Sequence, residues 1–334
     1  MGTTTKSQGY LLGVDVGSSK TNALIADCSG KALGLGISGS GNHEVVGIDG
    51  FKQTMRLAIK NACQMANVHS RDILGMGLGI AGYDWPSEDL LMSEVIESLE
   101  IGCPYRFTND VMLGLLAGSS EGWGVAVDAG AGNNVRGQDK NGKIGRITGE
   151  SVYFGEIGGG GEIVWLAQIA VTHAWTLRGP KTALTQVLMR FAGVNNEFEL
   201  IQGLSTRQIH LPTSLAEVVF QVALDGDPVA LQIINTSARE LALNVNAVIR
   251  QLGFEKQEFD LVLIGSIFQS GEIYLNPFRE TVTSFAPYAN LVQLTVPPVA
   301  GSIILAAEAA DIDSGKIKET LFCSISEFLD YNAE

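Results

Sequence analysis

The alternation of apolar and polar stretches along the chain predicts a regular succession of strands and helices. Residues 9–16 are mostly apolar, and a short polar turn separates them from a second apolar run at 23–26. This pattern predicts a strand, a turn and a second strand. Between Phe51 and Ala66 the apolar residues recur at steps of three and four, the spacing of one helical face. We therefore predict an amphipathic helix in that segment.

The segments that follow keep this alternation. They are a glycine-rich strand at 73–84, a helix at about 87–99, a short strand at 105–109 and a helix from Asp110. Strands that alternate with helices predict a sheet covered by helices, which is the α/β class.

A repeated segment indicates that the chain is a duplication. GVDVGSSKTNALIADCSGK at 13–31 and AVDAGAGNNVRGQDKNGK at 126–143 both contain Val-Asp-x-Gly, a small polar turn and Asp-x-x-Gly-Lys. Because self-similarity of this kind marks a repeated structural unit, we predict the same strand, turn and strand at the head of each half.

The second half differs from the first by a mostly helical stretch at 163–252. Its last helix is expected to begin with Asp227 as N-cap and Pro228 in the first turn, and to stop at Gly253. A buried strand at 259–265 and a helical region at 301–310 follow.

These patterns divide the chain into two predicted domains. The first covers residues 1–118, and the second covers residues 119–314 and carries the helical insert. The C-terminal helix at 315–334 is a candidate to return to the first domain.

Composition and charge exclude several classes of protein. Hydrophobic residues make up 46% of the 334 residues and charged residues 17%, as in ordinary globular proteins. The formal net charge of -14 and the lack of a basic run disfavour binding to nucleic acid or to an anionic membrane. The four cysteines are scattered, which indicates reduced thiols and a cytoplasmic location. Residues 1–8 are polar and no apolar run approaches 18 residues, so we expect neither a signal peptide nor a spanning helix.

The two repeated turns are candidates for phosphate binding. A tight turn rich in glycine and serine can aim several amide N–H groups at one anion, and a larger side chain would keep the backbone away from it. Ordinary hairpin turns also prefer glycine, but the repetition of an Asp-x-Gly turn favours the phosphate-binding hypothesis. Asp15 and Asp128 precede the two turns, where a carboxylate can hold magnesium through water. The evidence for a magnesium role is weaker for Asp128 than for Asp15, because Asp128 can also serve to stabilise its own turn.

Asp110 follows the predicted strand at 105–109 and opens a helix. One interpretation is an N-cap, which is a sufficient reason for Asp in that place. The other is a functional acid at the carboxyl end of a strand, which would point into the cleft where ligands of open α/β sheets bind.

An ordered set of short motifs resembles the BadF/BadG/BcrA/BcrD ATPase family, in particular its N-acetylglucosamine kinase-like branch within the actin, Hsp70 and sugar kinase superfamily. The resemblance extends over about residues 9–310. It rests on VDVGSSKT (14–21), GNH (41–43), GIAGYD (79–84), TND (108–110), AGAGNN (129–134), GSIFQSGE (265–272) and AGSIILAA (300–307).

The resemblance implies a fold and an activity. The fold would be a duplicated ribonuclease H-like, actin-like ATPase fold with two domains around a nucleotide cleft. The activity would be ATP-dependent phosphoryl transfer to a sugar or amino sugar, with Mg²⁺ as the metal and a homodimer as the expected assembly.

The resemblance also assigns roles to residues. Asp15 would act on magnesium, Asp110 would be the catalytic base, and Asn42, Asp84 and Asp110 would contact the sugar. The nucleotide-binding residues would be Gly17, Ser18, Ser19, Lys20 and Thr21 in the first phosphate loop, Gly130, Ala131, Gly132 and Asn133 in the second, and Gly265 and Ser266 beside adenosine. These roles suit phosphoryl transfer, which needs alignment, charge neutralisation and an acceptor for the hydroxyl proton.

The chain departs from the family pattern at 153–163. The kinase branch resembles Gly-Trp-Gly followed by Gly-Asp-Glu-Gly-Ser there, whereas this chain has four glycines at 158–161. Glu156 or Glu162 is a candidate to replace the missing acids. The second phosphate loop also lacks the usual Ser/Thr pattern. From the amides that the glycines leave uncovered we predict weak discrimination among sugars, or a bulkier or more anionic acceptor.

Two alternative functions remain beside the sugar kinase. One is an activating ATPase of 2-hydroxyacyl-CoA dehydratases, but the scattered cysteines argue against its shared iron–sulfur cluster. The other is a non-sugar ATPase or a nucleotide-binding regulatory protein that has lost turnover, which the altered glycine segment supports.

Overall fold

The computed structural model describes residues 9–331 and contains ten strands and eleven α-helices within them. Residues 1–8, whose polarity argued against a signal peptide, and residues 332–334 of the predicted C-terminal helix lie outside the described residues. The strands are β1 Tyr10–Val16, β2 Thr21–Asp27, β3 Ala32–Ser38, β4 Ile73–Ile80, β5 Tyr105–Asn109, β6 Gly124–Ala129, β7 Asn133–Gln138, β8 Ile144–Arg146, β9 Phe259–Ile264 and β10 Ala289–Gln293. The helices are α1 His43–Ala66, α2 Asp89–Glu97, α3 Asp110–Gly118, α4 Gly160–Trp175, α5 Leu184–Ala192, α6 Glu197–Ser205, α7 Leu215–Leu224, α8 Pro228–Leu252, α9 Glu272–Phe285, α10 Val299–Ala309 and α11 Ser314–Tyr331.

The first five strands form a mixed sheet in the order β3-β2-β1-β4-β5. Strands β1, β2 and β3 pair antiparallel as two hairpins, whereas β4 and β5 run parallel to β1. The carboxyl ends of β1, β4 and β5 therefore lie at one edge of the sheet.

Helices cover both faces of this sheet because its strands are buried on both sides. Leu12 and Val14 of β1 pack with α1 and α2 on one face, where Phe51 and Met55 are fully buried. Leu11 points to the other face and packs with α3, α10 and α11. Side chains alternate along a strand, so Asp15 projects toward the same face as Leu11.

Close approach of α10 to the sheet requires glycine at two strand positions. A Cβ atom on Gly13 would lie 2.2 Å from the hydroxyl oxygen of Ser302, and one on Gly77 would lie 2.1 Å from the carbonyl oxygen of Ser302. Any side chain at these positions would push α10 off β1 and β4.

The second sheet has the order β10-β9-β6-β7-β8, which is the order of the first sheet when each strand is matched with its counterpart. The Asp-x-x-Gly-Lys turns of the two repeats also agree in atomic detail. Asp27 accepts hydrogen bonds from the amides of Ser29 and Lys31, and Asp139 accepts them from Asn141 and Lys143. The prediction of a duplicated α/β fold is therefore confirmed.

The chain forms two compact units. One unit comprises the chain up to Ala126 together with the chain from Val292 onward, and the other comprises Val127–Leu291. These limits differ from the predicted boundaries after residues 118 and 314. The difference arises because α10, and not only α11, packs with the first sheet.

The observed elements extend several of the predicted ones. The helix predicted at 51–66 begins at His43 and crosses a non-helical residue, Gly47, at φ 70°. Helix α8 begins after Asp227 and ends at Gly253, as its cap residues predicted. Within residues 9–331, no helix combines the length and the apolar character that are needed to span a bilayer.

Helix α11 is fastened to the first unit by polar side chains. Lys318 donates hydrogen bonds to the carbonyl groups of Leu116 and Ser119 at the end of α3. Ser324 accepts a hydrogen bond from the amide of Ala32 in the first sheet at 3.0 Å. These contacts tie the end of the chain to its beginning.

We expect Lys318→Met to destabilise the first unit, because the last carbonyl groups of α3 lose a charged donor. The loss should be about 1–3 kcal/mol, measured by urea unfolding. Lys316→Met is the matched control, since Lys316 is exposed and forms a surface ion pair with Asp313, and it should change stability by less than about 0.5 kcal/mol. Equal effects of the two substitutions would contradict the role of Lys318.

Candidate active site

Three predicted site residues lie at or just beyond the carboxyl ends of the parallel strands of the first sheet. Asp15 lies in β1, Asp84 lies in the turn after β4, and Asp110 directly follows β5. Because β1, β4 and β5 are parallel, their carboxyl ends bring these acids to the same edge of the first unit. This is the edge where open α/β sheets bind ligands.

Asp110 is the first residue of α3, and its neighbour Asn109 is the N-cap. The Asn109 side chain accepts from the amide of Val111 at 3.2 Å and donates to the carbonyl of Tyr83 at 3.2 Å. The Asp110 carboxylate also lies 3.0 Å from the Val111 amide. Since Asn109 supplies the cap, the interpretation of Asp110 as the N-cap is not required by this structure.

Burial raises the pKa of Asp15 to about 7, and the charge of Asp110 contributes in the same direction. A hydrogen bond from Asn22, which pairs with Asp15 across the β1–β2 hairpin, and the charge of Lys20 act in the opposite direction. The charge of Asp110 therefore acts on Asp15. Two neighbouring carboxylates whose negative charges repel favour the binding of a cation beside them.

The first predicted phosphate loop is the turn between β1 and β2. The Gly17 amide donates to the Lys20 carbonyl at 3.0 Å, and a Cβ atom on Gly17 would lie 2.8 Å from that carbonyl oxygen. Ser18, Ser19 and Lys20 are exposed, whereas Thr21 is fully buried. Glycine is thus needed at position 17 for close packing within the turn.

Asn42 connects this loop to its surroundings. Its amide nitrogen donates to the Ser18 hydroxyl at 3.2 Å, and its oxygen caps α1 by accepting from Glu44 at 2.9 Å. The amide of Gly41 donates to the carbonyl of Gly17 at 3.1 Å. The GNH motif therefore supports the first loop, and the predicted sugar contact of Asn42 stays a prediction.

The second predicted phosphate loop, Gly130–Asn133, joins β6 to β7 in the second unit. The Gly130 amide donates to the Gly132 carbonyl at 3.0 Å. Cβ atoms on Gly130 and Gly132 would meet no atom within 4 Å, so open space faces both residues. The Asn133 side chain is directed inward and donates to the carbonyl of Glu156 at 2.9 Å.

The four glycines at 158–161 support this second loop. The amides of Gly160 and Gly161 donate to the carbonyls of Gly130 and Ala131 at 2.8 and 2.7 Å. A Cβ atom on Gly159 would lie 2.3 Å from the Gly132 carbonyl. These two amides are therefore engaged within the protein, which removes the basis of our expectation that they attract an anionic acceptor.

Glu156 and Glu162, the candidates to replace the missing acids, are buried and occupied. The Glu156 carboxylate accepts from the amides of Thr148, Gly149 and Glu150 at 2.8–3.0 Å. The Glu162 carboxylate accepts from the Gly159 amide at 2.7 Å, from Ser151 and from Asn133. The structure therefore gives both acids a supporting role around the second loop.

Gly265 brings the end of β9 close to the end of β6. It has φ 101°, and a Cβ atom would lie 2.3 Å from the carbonyl oxygen of Ala129. Only glycine tolerates both the left-handed backbone and the short distance. Ser266 follows and lines a cavity of about 500 Å³ together with Gly130, Ala131 and Gly160.

Sequence reasoning missed acidic residues near Asp84. Burial, followed by the charge of Asp84, raises the pKa of Glu44. Glu88 accepts from the amides of Asp84 and Trp85 at 2.9 and 2.8 Å and lies 3.5 Å from His43. The Glu at position 88, four residues after Asp84, was visible as the start of the predicted helix at 87–99, but its hydrogen bonds were not.

Within residues 9–331, no cluster of three or more His, Cys, Asp or Glu side chains is arranged to hold a metal ion. Magnesium commonly keeps several waters and binds through one or two carboxylates and substrate phosphates. Asp15 therefore fits a water-coordinated magnesium better than a cage of protein ligands. Each of the four cysteines is a free thiol.

The two duplicated sheets, with their paired glycine turns and the acids at a strand edge, have the actin-like fold in two domains. The model of the BadF/BadG/BcrA/BcrD ATPase family matches residues 12–306 of this chain. The chain therefore belongs to this family.

Similar proteins include sugar kinases. The chain is 28% identical over 313 residues to the N-acetyl-D-glucosamine kinase of Dictyostelium discoideum, covering 90% of this chain and 98% of that protein. It is 25% identical over 307 residues to the N-acetylmuramic acid/N-acetylglucosamine kinase of Clostridium acetobutylicum, covering 90% and 99%. A solved structure from Chromobacterium violaceum, described as a candidate N-acetylglucosamine kinase, has a TM-score of 0.69 at 20% identity. The match covers 90% of this chain and 99% of that chain. That likeness shows the fold.

We expect the pH dependence of stability to identify Asp15. Its pKa is raised in the folded state from the usual value of 3.8 to about 7, so folding holds the proton and stability falls as pH rises between these values. Asp15→Asn should therefore be stabilising at pH 8, by up to about 4 kcal/mol, and nearly neutral at pH 4. The measurement is urea unfolding without divalent ions.

Asp49→Asn is the control, because Asp49 is an exposed carboxylate on α1. It should have the same small effect at both pH values. If Asp15→Asn destabilises the protein equally at pH 4 and pH 8, the electrostatic description of Asp15 is wrong.

Proposed function

We propose that this chain is an ATP-dependent phosphotransferase that acts on a sugar or amino sugar, like the N-acetylglucosamine kinases. One observation carries the proposal: Asp110 stands at the carboxyl end of β5, beside Asp15, while Asn109 supplies the helix cap. An acid that is not needed as the cap, at the ligand-binding edge of a sheet, is suited to catalysis. The names of the two sugar kinase relatives support the substrate class.

The second unit has room for a nucleoside and its phosphates. The cavity of about 500 Å³ falls in the usual range for small-molecule sites, and open space faces Gly130 and Gly132. The residues of the second loop would hold phosphate oxygens by their backbone amides. Gly265 and Ser266 would border adenosine.

The first unit supplies the groups that the transfer requires. The turn Gly17–Thr21 would hold phosphate oxygens, and Lys20 adds a positive charge on its exposed side. Asp15 would hold Mg²⁺ through water, and the ion would offset the charge that Asp15 and Asp110 share. Phosphoryl transfer depends mainly on such positioning and charge neutralisation.

Asp110 would accept the proton of the sugar hydroxyl that attacks the terminal phosphate. Asn42 and Asp84 would hold other hydroxyl groups of the acceptor. The acidic surroundings of Asp84, with Glu44 and Glu88, suit hydroxyl and amide donors. The acceptor class follows the relatives' names and includes N-acetylglucosamine and N-acetylmuramic acid.

Three further expectations stay predictions. They are a homodimer, a cytoplasmic location, and weak discrimination among sugars. The expectation of weak discrimination among sugars depends on uncovered amides at 158–161. The hydrogen bonds donated by Gly160 and Gly161 weaken that argument.

Gly132 and Gly159 provide a matched test of the second phosphate loop. Gly132→Ala adds a methyl group in open space and should leave stability unchanged, but it should weaken ADP binding about 10-fold or more, because it blocks one amide contact to a phosphate. Gly159→Ala should weaken ADP binding and also lower stability by about 1–3 kcal/mol, because its methyl group collides with Gly132. Calorimetry and thermal unfolding provide the two measurements.

Unchanged ADP affinity in Gly132→Ala would refute the phosphate-loop assignment. Gly17→Val is not an equivalent test, because its side chain would collide with the Lys20 carbonyl and disturb the turn itself.

Asp110→Asn tests the proposed catalysis. Stability should stay the same or rise at neutral pH, because Asn109 keeps the cap and Asp15 loses a repulsive neighbour. Phosphorylation should fall about 10²–10⁴-fold while ADP binding persists. The assay is ADP release with glucose, N-acetylglucosamine, N-acetylmannosamine, glucosamine and N-acetylmuramic acid, and Asp49→Asn serves as the control.

Near-parental phosphorylation by Asp110→Asn would remove Asp110 as the base. If no sugar stimulates ADP release by the parent protein although ADP binds, the chain is a non-sugar ATPase or a nucleotide-binding regulator.

A further inference from the structure

One end of the cavity in the second unit is formed by the second predicted phosphate loop, and we call it the phosphate end. Gly130 and Ala131 of the second loop line it, and Gly160 lies beside them at the start of α4. A Cβ atom on Gly160 would be 3.3 Å from the Gly130 carbonyl oxygen and 3.2 Å from that of Thr213. The residues that lead into α7 are therefore adjacent to the second loop.

From this end, α7 runs along the cavity. Ala216, Glu217, Phe220, Gln221 and Leu224 line it, at the three- and four-residue steps of one helical face. An α-helix rises about 1.5 Å per residue, so this face extends about 12 Å away from the phosphate end. Groups near Ala216 would meet the part of a nucleotide next to the phosphates, and groups near Leu224 would meet its far end.

Glu217 is the one charged residue among the cavity-lining residues that the structure describes. A carboxylate repels phosphates, so its place one turn beyond the phosphate end suits a different partner. Two adjacent hydroxyl groups are good donors to a carboxylate, which has two oxygens and accepts only. The nucleotide group that follows the phosphates and carries such a pair is the ribose.

Gln221 lies one turn further along, and its amide is oriented by Asp225. The Gln221 Nε2 group donates to Asp225 Oδ1 at 2.8 Å. Because a carboxylate only accepts, the nitrogen must face Asp225, and the Gln221 oxygen Oε1 is left to accept elsewhere. An acceptor at the base end of the cavity suits an exocyclic amino group.

Apolar side chains also line the cavity, together with the polar residues Ser266, Gln269 and Ser270. Phe220, which packs on Tyr274 with ring centroids 6.0 Å apart, lies on the α7 side. Ile267 lines the cavity from the 3₁₀ turn Ser266–Gln269. Flat apolar walls are typical of pockets that hold an aromatic base.

We propose that this face of α7 selects adenosine ribonucleotides, with Glu217 binding the ribose hydroxyl groups and Gln221 accepting from the 6-amino group of the base. The inference rests on the proposed function in one respect, namely that a nucleotide occupies this cavity. It adds the residues that distinguish ATP from its 2'-deoxy analogue and from GTP.

The test is calorimetric binding of ADP, 2'-deoxy-ADP and GDP to the full chain, with Mg²⁺ and without any sugar. The parent protein should bind ADP about 10-fold more tightly than 2'-deoxy-ADP, as expected for a hydrogen bond to a charged group. Glu217→Gln should reduce that preference to about twofold by weakening ADP binding, because a charged acceptor becomes a neutral one.

Gln221→Met tests the base contact separately, since it keeps the length and helix propensity but removes the acceptor. Its preference for ADP over GDP should fall about 10-fold, while its preference for ADP over 2'-deoxy-ADP should remain. Glu197→Gln, an exposed acid at the start of α6 that does not line the cavity, should change neither ratio.

The outcomes separate this inference from the proposed function. The parent protein can bind ADP and yet have the same affinity ratios, for ADP over 2'-deoxy-ADP and for ADP over GDP, as the Glu217 and Gln221 variants and the control. In that case α7 does not select the nucleotide and the inference is wrong. If the parent binds none of the three nucleotides, the proposed function fails as well. Loss of the preference for ADP over 2'-deoxy-ADP in Glu217→Gln, with unchanged thermal unfolding, would support the ribose contact.

Discussion

The hydrogen bonds from Gly160 and Gly161 to the second glycine turn are the contacts on which the candidate nucleotide site depends. They fix the carbonyls of Gly130 and Ala131 and direct the start of α4 toward the loop. The departure from the family motif at 158–161 therefore has a structural role, because a Cβ atom on Gly159 would lie 2.3 Å from the Gly132 backbone.

The buried polar network behind these glycines supports the same loop. Glu162 is held by the Gly159 amide and by Asn133, and the fully buried Tyr274 donates to the Gly158 carbonyl at 2.8 Å. Charged groups are rarely buried unless their hydrogen bonds are satisfied. The acids in this segment are thus explained by support of the second glycine turn.

Several elements and roles could be predicted from local sequence. Asp227, Pro228 and Gly253 delimit α8 because capping and turn preferences act within a few residues. The start of α1 at His43 could not be predicted, because Gly47 interrupts the helical pattern and the cap at Asn42 depends on packing beside the first loop. Strand β3 of the first sheet was also missed. Its Gly34 and Gly36 have low strand propensity, and they are needed because a Cβ atom at either position would collide with the backbone of α1.

The sequence by itself determined the duplication, the α/β class and the two glycine turns, because each is encoded in short segments that repeat within the chain. It also marked Asp110, although it left open whether that residue caps or catalyses. Only the tertiary structure decided that Asn109 is the cap, that the amides of the glycine run are used internally, and that one face of α7 lines the cavity. The reason is physical: a hydrogen-bond donor or a helix face acquires its role from partners that are distant in sequence, and those partners are brought near only by packing.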